Sequence, residues 1–295
     1  MWVLHFQNPI YKILLKNPKP NKHFLGLRLR LRYYNLFHTK KQKGLLHFFQ
    51  KKLGEPPVIY DDQRTAQTEK VMENKAFNNG FFNVTVSSNV KLKRKGTKVK
   101  YFVNIKDPFV IQSIANNVSD SLIKSNIVKL QSNTLIKINE PYRLTTLRKE
   151  RERITAGLRQ EGFYFFNDDF LIFKADTNLV KNKVQLQLSL KDGVDSSKLK
   201  RQRIHQIFLY PNNSIKENKA LAKDTIQYDG IQIISSINAI RPSVLRDAIT
   251  FQNGQYYSLK THRNTLERLS FLRNHKFIDI QFEAAEHSDS LLNVI

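Results

Sequence analysis

Catalysis, metal binding and covalent chemistry need titratable or nucleophilic side chains at defined spacings, and the candidates in this chain are dispersed. The eight histidines, His5, His23, His38, His47, His205, His262, His275 and His287, form no His-x3-His pair and no Glu-rich cluster of the kind that holds a metal. Asp168, Asp169 and Asp176 are the nearest approach to a carboxylate cluster. Their positions at the entry and exit of a predicted strand suit turn formation, because Asp side chains bond their own backbone two residues on. Cysteine is absent, which excludes disulfides, thiolate metal sites and Cys nucleophiles. No Gly-rich phosphate loop, serine elbow or catalytic acid pair occurs. The residues therefore predict no enzyme, no metal, no cofactor and no small-molecule substrate. The aromatic run Phe163-Tyr164-Phe165-Phe166 has the chemistry of a base-stacking platform, but its place recurs along the chain, which predicts core packing.

That recurrence organises the sequence. Three times a polar amphipathic helix runs into an aromatic turn and two strands. The joints are Ala76-Phe77-Asn78-Asn79-Gly80-Phe81-Phe82, Leu158-Arg159-Gln160-Glu161-Gly162-Phe163-Tyr164 and Leu272-Arg273-Asn274-His275-Lys276-Phe277-Ile278. A repeated supersecondary unit means an array of small modules. The leading Phe of each joint, Phe81, Phe163 or Phe277, is expected to plug that module's core.

The expected class is α+β, with tandem β-α-α-β-β modules, each a small mixed three-stranded sheet carrying a helix pair on one face. The first module spans 1–106, lacks an opening strand and carries a basic arm. Short helices are expected at 8–18 and 44–53, then a longer one from Asp61 or Asp62 to about Asn78, and strands at 81–92 and 97–105 around Lys95-Gly96. The second module, 107–193, has a strand near 109–115, helices at 119–130 and 144–160, and strands at 169–175 and 182–190. The stretch 192–197 is the best linker. The third module, 201–295, opens with a strand at 203–210. An insertion at about 211–240 carries a strand near 231–235. Helices at 242–250 and 258–273 precede strands at 277–284 and 290–295, the last one cut short.

The net charge is +24, and twelve Lys or Arg precede the first acidic residue, Glu55. Half of the excess thus lies in an N-terminal arm, which favours an anionic partner or simply a solvated segment. Within it, Leu27, Leu29 and Leu31 alternate with Arg28, Arg30 and Arg32. Period-2 alternation predicts a one-sided strand, with Arg28, Arg30 and Arg32 as the candidate contacts of the alternative reading, an anionic partner. No stretch approaches the ~20 apolar residues of a membrane helix, and no export signal is recognised at the start.

Several strings resemble the POTRA domains of the BamA/TamA outer-membrane assembly-factor superfamily, more closely its TamA-like surface-antigen branch in Bacteroidetes-type bacteria. They are Lys19-Pro20-Asn21-Lys22-His23-Phe24-Leu25-Gly26-Leu27-Arg28-Leu29 and Gly54-Glu55-Pro56-Pro57-Val58-Ile59-Tyr60-Asp61. Glu150-Arg151-Glu152-Arg153-Ile154 leads to Gly162-Phe163-Tyr164-Phe165-Phe166-Asn167, followed by Phe173-Lys174-Ala175-Asp176-Thr177. Gly254-Gln255-Tyr256-Tyr257-Ser258 continues through Leu266-Glu267-Arg268-Leu269 to Phe277. The resemblance covers the chain from about residue 8 to its end. Family members carry an export signal and a C-terminal transmembrane β-barrel; neither is recognised here, so a fragment holding the periplasmic modules is expected.

The resemblance implies a periplasmic scaffold at the outer membrane that binds extended polypeptide by adding it to exposed sheet edges. It implies as partners unfolded outer-membrane β-proteins, or periplasm-spanning and lipoprotein partners, with the membrane reached through the absent barrel. The implied edges are the first strands of the hairpins, Val84–Ser88, Phe170–Lys174 and Ile278–Phe282. Their candidate contact residues are Val84, Thr85 and Val86; Phe170, Leu171 and Ile172; and Ile278, Asp279 and Ile280. The competing expectation is a cytoplasmic nucleic-acid-binding protein that uses the basic arm, with steeply salt-dependent affinity.

Overall fold

The computed structural model describes residues 21, 27–38, 44–93, 96–178, 181–211, 224–235, 240–273, 277–286 and 288–295. The expected helix at 8–18 and the tip of the first hairpin at Lys95 lie outside them. The chain divides into two compact units, residues 1–109 with 141–143, and residues 110–140 with 144–295.

Unit 1 contains α1 (Leu29–Leu36), α2 (Leu45–Leu53), α3 (Asp62–Phe77), β1 (Thr85–Lys93) and β2 (Gly96–Asn104). The predicted strand over the Leu-Arg alternation is a helix instead. Leu and Arg are both strong helix formers, and among the described residues 28–33 find no strand partner. Packing onto α2 settles the choice: the ring centroids of Phe37 and Phe49 lie 5.7 Å apart, and Glu55 N donates to the Arg30 carbonyl at 3.1 Å.

Helix α3 begins where Asp61 accepts the Gln63 N–H at 2.9 Å, the usual satisfaction of a first-turn donor. It ends before Gly80, whose φ of +90° and crowding by the Tyr142 carbonyl both demand glycine. The chain reaches β1 only at Thr85, because residues 82 and 83 turn. Strands β1 and β2 pair antiparallel and bury Met72, Val86, Val99 and Tyr101 between hairpin and helix.

Unit 2 holds two sheets. In the first, β3 (Val110–Asn116) pairs parallel with β5 (Lys183–Leu190), which pairs antiparallel with β4 (Leu171–Asp176), in the order β3-β5-β4. Parallel neighbours require a crossover, and α4 (Ser121–Lys129) and α5 (Leu144–Gln160) provide it. This is the POTRA-like β-α-α-β-β order expected of the complete module. Its core gathers Ile123, Ile127, Ile154, Leu158, Phe163, Phe166, Leu171 and Leu188.

The second sheet is five-stranded, in the order β7-β8-β6-β10-β9. Strand β6 (Arg203–Leu209) pairs parallel with β10 (Leu291–Val294) and with β8 (Ile231–Ser235). The hairpin of β7 (Asp224–Tyr228) and β8 widens the module beyond the three strands expected. The sequence marked β8 after Asp229-Gly230; β7, whose one aliphatic residue is Ile226, went unmarked. Helices α6 (Pro242–Ala248) and α7 (Leu259–Phe271) cross over to β9 (Phe282–Ala284) and β10.

Candidate strand-edge interface

Strand β4 lies at the edge of its sheet, so one row of its main-chain groups faces away from β5. Its register decides which row. Lys191 N donates to the Phe170 carbonyl at 2.8 Å, and Ile172 and Lys174 stand opposite Ser189 and Gln187. In an antiparallel ladder every second pair exchanges hydrogen bonds. Ile172, Lys174 and Asp176 therefore bond inward, and Phe173 and Ala175 turn their N–H and C=O groups outward; Leu171 turns its carbonyl outward, its N–H going to the Asp168 carbonyl in the turn before the strand. A second observation agrees: Leu188, opposite Phe173, gives its carbonyl to Asn117 N on the β3 side, at 2.8 Å.

The side chains sort by the same alternation. Leu171 and Phe173 pack on the core, whereas Ile172 is half-buried and Lys174 exposed on the other face. Of the expected contact residues, Leu171 presents its carbonyl outward and Ile172 does not. Phe170 lies ahead of the strand in a 310 turn over Asp168–Phe170, which is a correction to the predicted start at 169. The turn is set by Asn167, whose side chain accepts the Asp169 N–H at 3.1 Å. Asp176 accepts from Asn178 N at 2.9 Å, so it forms a turn as its place after the strand predicted, while Asp168 and Asp169 lie within the 310 turn. The implied edge Phe170–Lys174 held Phe173 without singling it out and stopped short of Ala175, because parity along an edge depends on register with the neighbouring strand.

In unit 1, β1 pairs only with β2 among the described residues. Val86 N is turned off that ladder and donates to Glu73 Oε1 of α3 at 2.9 Å. Val86 therefore belongs to the outward row, whereas Thr85 faces β2 and Val84 precedes the strand. In the third module, Ile278, Asp279 and Ile280 are not in a strand, a correction to the predicted span of 277–284. Pairing with the last strand begins at Gln281, which exchanges 2.8 Å bonds with Ile295.

Two helix side chains reach the outward rows. Glu73 holds the Val86 N–H as above. Arg151, on α5, donates through Nη1 to the Leu171 carbonyl at 3.0 Å, while its Nη2 lies 3.8 Å from Asp168. A neighbouring carboxylate is structural. Glu150, almost fully buried, accepts from Thr134 Oγ1, Leu135 N and both sides of the Arg153 guanidinium at 2.8–2.9 Å. Burial pushes its carboxyl up, but those bonds outweigh burial and hold it below the ordinary carboxylate range. The pair flanks a cavity of about 40 Å³ lined also by Asn116, Ile127, Phe173 and Leu188.

The two sheets of unit 2 are joined by bonded contacts. Gln202, fully buried, donates N–H to the Gly162 carbonyl at 2.8 Å and accepts from Tyr257 N at 2.9 Å. Its Nε2 reaches the Asp289 carbonyl at 2.8 Å. Gln160 bonds Ser258 Oγ at 2.7 Å and Lys260 N at 2.9 Å. The guanidinium carbons of Arg201 and Arg203 lie 3.8 and 4.0 Å from the Tyr256 ring centroid, a cation–π arrangement. Tyr164 leaves its own core to pack on Tyr257 and Phe282 at 4.9 and 4.7 Å.

The expected core plugs differ among modules. Phe163 is fully buried, as predicted, and it is joined in the core by Phe166. In unit 1 the ring that packs is Phe82, 4.7 to 5.0 Å from Phe77, Phe109 and Tyr142. Phe277 is 70% exposed and does not plug the third module; Phe251 and Phe282 fill that core. Arg30 and Arg32 are exposed on α1 and Arg28 precedes it. Helical residues two apart point about 200° apart, so the helix removes the shared face that a strand would have given them. Among the described residues no group of three or more His, Asp or Glu is placed to hold a metal, and no helix is long and apolar enough to cross a membrane.

No protein-family model matches the sequence, and no curated protein does. Among solved structures the chain is similar to POTRA domains 3–5 of BamA from Haemophilus influenzae, at 13% identity and a TM-score of 0.45, over 80% of each chain. It is similar to BamA from Haemophilus ducreyi lacking POTRA domains 1–3, at 14% identity and a TM-score of 0.45, over 63% of this chain and 28% of that one. A third likeness is to POTRA domains 1–3 of the periplasmic domain of Omp85 from Anabaena, at 14% identity and a TM-score of 0.27, over 94% and 91% of the two chains. At these identities and scores the likenesses assign no residue a role.

Proposed function

We propose that this chain is the POTRA-domain region of a BamA/TamA-type protein and acts as a periplasmic scaffold in outer-membrane protein assembly or translocation. It would hold extended polypeptide, such as unfolded outer-membrane β-proteins or an extended segment of a periplasmic partner, by adding it as a strand to an exposed sheet edge. The observation that carries this reading is the β4 edge, where Phe173 and Ala175 face outward with their main-chain donors and acceptors. A strand added there gains main-chain bonds with little demand on its sequence. The strings shared with the family and the β-α-α-β-β order of the second module support the assignment. Arg30 and Arg32 lie on a helix and not on the strand face expected of them, while most of the basic arm on which the nucleic-acid alternative rests lies outside the described residues.

The test exploits the fact that proline is tolerated on an edge strand where its missing N–H would face solvent. Ala175→Pro removes an outward donor while leaving the inward ladder intact. Binding of a urea-unfolded outer-membrane β-barrel protein, followed by fluorescence anisotropy, should weaken severalfold. Unchanged binding by a folded Ala175→Pro protein would remove the β4 edge from this role.

A further inference from the structure

The outward rows of two separate modules are each touched by a charged side chain from the longer helix packed against them. In unit 1 the Glu73 carboxylate takes the Val86 N–H; in unit 2 the Arg151 guanidinium takes the Leu171 carbonyl. The two residues differ in charge, and each meets the main-chain group of opposite polarity. Neither group has a partner in its own ladder, since Val86 and Leu171 both belong to the row that faces away from the neighbouring strand. We infer that Arg151 and Glu73 are register-setting plugs: each occupies the first outward main-chain group of its edge, so that an added strand can engage fully only from the next outward residue onward. This rests on the proposed edge binding and specifies its register.

On β4 the consequences are concrete. The outward residues are Leu171, Phe173 and Ala175. Leu171 gives its N–H to the Asp168 carbonyl in the 310 turn and its carbonyl to Arg151, so it offers an incoming strand neither group, whereas Phe173 and Ala175 offer both. Asp168, 3.8 Å from Nη2, anchors the guanidinium from the side of the 310 turn. An antiparallel neighbour exchanges two bonds with each fully available outward residue, so added strands centre on Lys174, between Phe173 and Ala175. Without the plug the Leu171 carbonyl becomes one further acceptor, and an added strand that uses it centres on Phe173, one strand step nearer the turn. Charged side chains placed at edges are a general protection against indiscriminate pairing; here that protection also selects a register.

The experiment uses the full chain and a fluorescent ten-residue peptide of alternating valine and threonine with one central cysteine. A proline-interrupted version, which cannot form the ladder, is the control. Because the chain has no cysteine, Ile172→Cys and Lys174→Cys each introduce a unique thiol on the open face of β4. Under mild oxidation the peptide should cross-link severalfold faster to Lys174→Cys than to Ile172→Cys. Introducing Arg151→Met, which keeps the apolar stem and removes the donors, should equalise the two rates. The same change should tighten peptide binding about threefold to tenfold, the worth of one recovered hydrogen bond. Equal cross-linking at both sites in the presence of Arg151 overturns the plug, whether or not the Arg151→Met protein folds. Unaltered affinity in a folded Arg151→Met protein does so too. Peptide that fails to bind, or that binds no better than its proline version, overturns edge binding itself and the plug with it.

Discussion

Gly162 and Gln202 are joined by a 2.8 Å hydrogen bond from the Gln202 N–H to the Gly162 carbonyl, linking the turn that ends α5 to the entry of β6. Gly162 has a φ of +106°, and a Cβ placed there would meet Arg201 Nε at 3.3 Å and Tyr256 at 3.4 Å. The glycine that stops one module's helix thus also admits the Arg201–Tyr256 stack of the next. In this pair of modules the helix stop and the module joint are one structure.

Gly162→Ala is accordingly expected to cost about 1–2 kcal/mol, because an L side chain is strained at positive φ and crowds the stack. Chemical denaturation measures the loss. Limited proteolysis between residues 191 and 201 should accelerate in the same variant, since the stack holds the end of that segment.

Stability should fall in acid through Glu150. Its folded pKa lies below its unfolded value, so its contribution is complete above the ordinary carboxylate value near 4.5 and is lost as pH falls through the folded value. Glu150→Gln should cost about 1.5–3 kcal/mol at neutral pH, the range for hydrogen bonds to a charged partner, and should shallow the acid limb of a stability–pH curve. An acid limb identical to the wild type's would remove Glu150 as its source.

His262 should act in a higher window. Burial, followed by the nearby Arg263 charge, lowers its pKa below 6.5. The unfolded chain then binds a proton more readily than the folded one, so the contribution is present above the unfolded pKa of about 6.5 and is lost as pH falls toward the folded value. Tyr257, Phe251 and Phe282 surround the ring. Thermal unfolding at a series of pH values should show this step, and His262→Gln should abolish it.

Phe166 and Phe271 provide a packing contrast. Phe166 is fully buried in the second module, whereas Phe271, at the end of α7, is 73% exposed. Truncating the buried ring to alanine should cost about 3–5 kcal/mol; the exposed one should change stability by about 0.5 kcal/mol or less. Equilibrium urea unfolding compares the two.

Much of the second module was legible from local patterns. Alternation from Val184 to Leu190 marked β5, the Ile154 and Leu158 face marked α5, and the aromatic joint marked the turn after Gly162. Those signals are local, arising from side-chain period, capping and glycine conformation. Where the same reasoning met the Leu-Arg alternation of residues 27–32 it predicted a strand. A period-2 pattern fixes a strand only when another strand is there to pair with it, and α2 supplied a helix-packing surface instead. Phe277 misled for a related reason: equivalence of position in a repeat does not guarantee burial, and the third core is filled by Phe251 and Phe282.

The sequence by itself determined that this is a cysteine-free array of α+β modules with edges implied by family resemblance. Tertiary structure decided which atoms those edges present. Whether Phe173 or Ile172 faces outward depends on the register of β4 against β5, and whether Leu171 keeps its carbonyl depends on Arg151 reaching it from α5. Both are contacts between segments distant in sequence, and side-chain periodicity carries no information about how one strand is aligned on another.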